Sequence, residues 1–141
     1  MIQLDQAEAA IQKVLTGQLF DVPDGSPRSL VYYKGERPAK RSSTTSQDND
    51  VSYCHLSPGG FRFTRQGLAI QVQATFVLYS AGQPADGLAM IETTINNLNR
   101  LAGAQYTPCS LVGEINGNIE EIEHPYYWLE ITLQLSKMNE V

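Results

Sequence analysis

The chain has 141 residues and a mass of 15.6 kDa, which is the size of about one domain. Its apolar fraction of 42% and charged fraction of 18% exclude a wholly disordered chain, a collagen and a coiled-coil rod. A net charge of −5 argues against general affinity for nucleic acid or an anionic membrane, and no apolar run approaches the roughly 20 residues of a membrane-spanning helix.

Residues 4–16 read as an amphipathic helix, with Leu4, Ala7, Ile11, Val14 and Leu15 at helical spacing. Asp5 and Glu8 have capping-box spacing, and Gly17 is a natural stop. The start, Met1 to Asp5, has neither the basic nor the apolar stretch of a secretory signal. Residues 21–29 form a turn-rich connection with Asp24-Gly25 and two prolines.

A first strand is expected at Leu30 to Tyr33, followed by an exposed loop at 35–50 that contains a single aliphatic residue, Ala39. Val51 to Leu56 reads as a second strand. Ser57-Pro58-Gly59-Gly60 breaks it, and Phe61-Arg62-Phe63 resumes the alternation. Leu68 to Tyr79 is a long strand, with Leu68, Ile70, Val72, Ala74, Phe76 and Leu78 on one face. Asp86 is the expected N-cap of a helix running to about Ala102, with a stripe of Leu88, Ile91, Ile95, Leu98 and Leu101. A weaker strand covers 107–115, and Asn116-Gly117 is a hairpin-turn signal. The last strand alternates Tyr127, Leu129, Ile131, Leu133 and Leu135 with polar neighbours. The order predicts an α+β fold: one domain over 1–141, with a mixed or antiparallel sheet and two helices packed on its apolar face.

Chemistry is sparse. Cys54 and Cys109 cannot make a disulfide framework, which favours a reducing compartment. Cys54 and His55 are adjacent on a strand and should face opposite ways, and no zinc-ligand spacing links them to Cys109 or His124. There is no nucleophile elbow, and Gly59-Gly60 lacks the Lys-Ser/Thr pair and helix that complete a phosphate loop. Glu120, Glu121 and Glu123 before His124 read as a solvated turn rather than an acid/base pair. The expectation is a protein without catalysis, cofactor or metal. A small hydrolase or nucleic-acid-modifying enzyme using His55, His124 and an acid is the alternative.

Charge placement says more. Between Arg28 and Arg65 seven bases face three acids, a net +4; between Asp86 and Glu130 one base faces seven acids, a net −6. If these regions lie on different sides, copies of the chain can dock head to tail and close into a ring. The candidate interface residues are Arg37, Lys40, Arg41, Arg62 and Arg65 on the basic side, and Glu120, Glu121 and Glu123 on the acidic side. The competing reading is two solvated segments.

The long strand Leu68–Tyr79, the Ala85-Asp86-Gly87 entry into a helix, and the terminal Glu123-His124-Pro125-Tyr126-Tyr127-Trp128 before a last amphipathic strand resemble a family. It is that of the tail terminator (tail completion) proteins of long-tailed bacteriophages and prophages, which includes the minor tail protein U type. The resemblance implies a structural protein of the virion, made in the bacterial cytoplasm, that forms a hexameric ring on the tail tube. Its partners would be its own copies, the major tail tube protein and a head–tail connector, with DNA passing non-specifically through the lumen and no membrane involved. It implies no catalytic residues. The loop at 35–50 resembles one that faces the lumen or a neighbouring ring. A head–tail connector of related fold is a further alternative.

Overall fold

The computed structural model describes residues 4–21, 27–35, 52–64, 67–101, 105–106, 109–111 and 116–137. The first helix, α1 (Leu4–Val14), buries Ala7, Ala10, Ile11 and Val14. Gly17, at φ +88°, takes the left-handed conformation that ends it cheaply. Asp5 and Glu8 are engaged elsewhere than in a capping box: both bind Lys34 Nζ, at 2.5 and 3.1 Å. That pair ties the helix to strand β1 (Val31–Lys34).

Strand β1 pairs in parallel with β2 (Tyr53–Thr64), which pairs antiparallel with β3 (Gly67–Tyr79). The expected break at Ser57–Gly60 is instead a β-bulge inside one continuous strand. The reason lies in the neighbours. β1 pairs with β2 only as far as Leu56, so from Ser57 onward β2 has no described partner on that side. A proline is tolerated on an edge because its missing N–H is not needed there. The bulge also changes the alternation. Pro58 pairs with Val72 and Phe61 with Ile70, so three residue steps on β2 span two on β3. Phe61 and Phe63 therefore share the face of Cys54 and Leu56, where uninterrupted alternation would have set Arg62.

Helix α2 (Pro84–Leu98) continues into a 3-10 turn at Asn99–Leu101. Its N-cap is Gln83, not Asp86. Pro84 takes the first helical position, and the Asp86 carboxylate accepts the Gln83 backbone N–H at 2.9 Å. The buried positions are Gly87, Ile91, Thr94 and Leu98, while Leu88 and Ile95 from the expected stripe are exposed. Gly87 explains the rotation. A Cβ there would collide with the ring of Tyr127, so the helix lays its bare backbone on that aromatic side chain. Polar contacts then join α2 and its 3-10 turn to the end of α1 and the segment after it. Gln18 donates to Thr94 Oγ1 at 2.9 Å, Asn97 donates to Gln18 at 2.7 Å, and Arg100 donates to the Val14 carbonyl.

The remaining strands are β4 (Gln105–Tyr106), β5 (Cys109–Leu111), β6 (Asn116–Glu123) and β7 (Tyr126–Lys137). They complete a mixed seven-stranded sheet in the order β1-β2-β3-β7-β5-β4, with β6 also paired to β7. β7 lies antiparallel to β3 from Ala69↔Ser136 to Tyr79↔Tyr126. Asn116-Gly117 is not a turn; it opens β6, and the β6–β7 turn is His124-Pro125, joined by a cis peptide bond. Gly117 is needed for a close approach, since a Cβ there would collide with the Glu130 carbonyl and come within 2.8 Å of Ile131 Cγ2.

One face of the sheet carries the core. Cys54, Leu56, Val72, Ala74, Phe76, Leu78, Tyr127, Leu129, Ile131 and Leu133 are buried there with the inward residues of α1 and α2. This is the α+β arrangement expected from the sequence, with both helices on the apolar face. Each large side chain buried in this layer contributes on the order of 1.5–3 kcal/mol.

Candidate functional site

The expected site residues fall into three groups. Arg37, Lys40, Arg41 and Arg65 lie outside the described residues, as does most of the loop at 35–50. Arg62 is exposed on β2, in register with Ala69. Glu120, Glu121 and Glu123 lie in β6, not in a turn, and their side chains are outside the description. A bulge at Glu120 sets Glu121 opposite Trp128 and Glu123 opposite Tyr126. Ser136 stands in the row of Arg62, eight residues along β7 from Trp128, and two strands separate β2 from β6. The basic and acidic positions are thus on the order of 30 Å apart, at opposite corners of the sheet.

The residues offered for an enzymatic alternative are not brought together. His55 lies in the row Tyr33–His55–Thr75–Glu130, whereas His124 is in the turn beyond Tyr126. Two strand spacings and about four residues put the histidines on the order of 15 Å apart. His124 Nδ1 instead lies 2.7 Å from Tyr127 Oη, which donates to the Pro84 carbonyl at 3.3 Å. Those bonds satisfy a buried phenol under the first turn of α2, a structural use of the histidine. Cys54 is wholly buried, and burial pushes its thiol well above the usual range, with a smaller contribution from Glu8. A thiol held protonated is a poor nucleophile. Among the described residues, no three His, Cys, Asp or Glu gather into a metal-binding group.

Three surfaces stand out. The first is the end of the β2–β3 hairpin, where Phe61 and Phe63 are 71% and 74% exposed and their rings meet edge to face at 5.7 Å. They pair with Ile70 and Leu68, on the helix-side face of the sheet, and neither α1 nor α2 covers this end of it. The second is a groove of about 410 Å³ between α2 and β6, where Ile95, Leu98, Ile119, Leu129 and Ile131 are joined by the polar Asn99 and Asn118. It exists because α2 stands over β3 and β7 and leaves Ile95 and Ile119 half exposed on either side.

The third surface is the opposite face of the sheet, which is aromatic. Tyr33 and Tyr53 meet at 5.5 Å, Tyr79 and Tyr126 at 5.3 Å, and Tyr126 and Trp128 at 6.4 Å. Tyrosine and tryptophan on a sheet face that neither α1 nor α2 covers are typical of interface anchors. Sequence reading missed all three surfaces. The signal for the first was present in Phe61-Arg62-Phe63, and the bulge that aims it was concealed in Pro58-Gly59-Gly60. The groove had no local signal, because it depends on where α2 crosses the sheet. No family model matches the chain, and comparison with curated proteins finds no match.

Proposed function

We propose that the protein is a structural assembly component whose working unit is a ring of identical copies, of the tail-terminator type found at the head–tail junction of long-tailed phages. The observation that carries this reading is the pair of apolar surfaces set apart on one face of the sheet, the hairpin end and the α2–β6 groove, on segments of opposite net charge. Unlike surfaces of this kind favour a heterologous contact, which repeats from copy to copy and closes when the rotation permits. The sheet with both helices on one face supplies a rigid body for such a contact, and the element order agrees with the terminator pattern.

In this reading one end of the ring occupies the docking site of the next tube layer, and the other end templates no further layer and receives the connector. Catalysis and cofactors play no part. Arg37, Lys40 and Arg41 supply register or line the lumen through which DNA passes. Electron microscopy of the protein alone and with polymerising tail tubes tests the reading. Rings, and tubes capped at one end with growth arrested, are expected. Tubes that grow unchanged in its presence, from a protein that forms no rings, would overturn it. Exchange of Arg37, Lys40 and Arg41 for Glu should weaken assembly without moving the unfolding midpoint. Unchanged assembly removes that loop from the interface.

A further inference from the structure

We draw no further inference here: the strongest candidate, the exposed apolar patch of Phe61, Phe63 and Leu68 at the end of the β2–β3 hairpin, carries nothing because nothing in the structure shows what covers it.

Discussion

Strand β3 passes through two regions that its sequence does not distinguish. From Val72 to Leu78 every second residue is buried beneath α1 and α2. At Ile70 and Leu68 the same alternation continues, yet Leu68 is exposed and its partner Phe63 is three-quarters exposed. Period-two alternation thus reports that a sheet has an apolar face. It does not report how far the chain's own helices reach across that face. α1 has 11 residues and α2 has 15, and neither covers the hairpin end.

The sharpest way to break this comparison is to put a carboxylate into each region. Ile131→Asp buries a charge among Leu129, Leu133 and the helices and should leave no folded protein by circular dichroism. Phe63→Asp should keep the stability from urea titration within about 0.5 kcal/mol of the parent. Similar losses from both would mean that the hairpin end belongs to the core. Truncation gives a finer measure: Phe76→Ala should cost about 3–5 kcal/mol, against a few tenths for Phe61→Ala in the monomer.

Smaller effects probe how the covered region is fitted together. Gly87→Ala should destabilise by about 1–3 kcal/mol, because the methyl group has to displace the Tyr127 ring or lift α2. Tyr127→Phe should cost about 1 kcal/mol, from loss of the hydroxyl shared by His124 and Pro84. Calorimetry or urea titration measures both.

The mildest effect is a slope against pH. Burial, then the neighbouring Cys54 and Glu8, hold the Tyr32 phenol well above its usual value; burial does the same for the Cys54 thiol. Lys34 is raised by its bonds to Asp5 and Glu8. In all three the folded state keeps its proton longer than the unfolded chain does. Stability should be flat up to the ordinary thiol value of 9.0, then fall as Cys54, Tyr32 and Lys34 lose protons from the unfolded chain. Urea midpoints between pH 7 and 11 should show this decline, and Cys54→Ala should move its onset toward the phenol value of 10.0. A decline on the acid side of pH 9 with the same slope in both proteins would contradict the assignment.

The elements with a strong local period were legible in the sequence. The inward residues of α1, β3 and β7 alternate as read, since each packs along its whole described core against one layer. Elements decided by distant partners were not. Asn116-Gly117 carries turn chemistry, yet pairing with Ile131 and Thr132 draws it into a strand. Pro58-Gly59-Gly60 carries breaker chemistry, yet an open edge beside it permits a bulge. In the α2 stripe Ile91, Leu98 and Leu101 are buried as read, but Leu88 and Ile95 give way to Gly87 and Thr94, because a glycine counts for nothing in a hydrophobic pattern while a tyrosine far along the chain settles against it. Of the candidate contacts, the basic and acidic segments were visible as charge, but the apolar groove arises only when α2, β6 and β7 meet.

The surplus residue at Gly59-Gly60 separates the aim of the hairpin end from its chemistry. Deleting one glycine would let Pro58 and the first phenylalanine keep their partners Val72 and Ile70 in a regular ladder, with both rings still on the helix side. What would vanish is the local bend and extra twist that a bulge imparts. The tip would then leave the body along a straighter course, so a single codon sets the direction in which two exposed phenyl rings are carried, while the rings themselves stay the same.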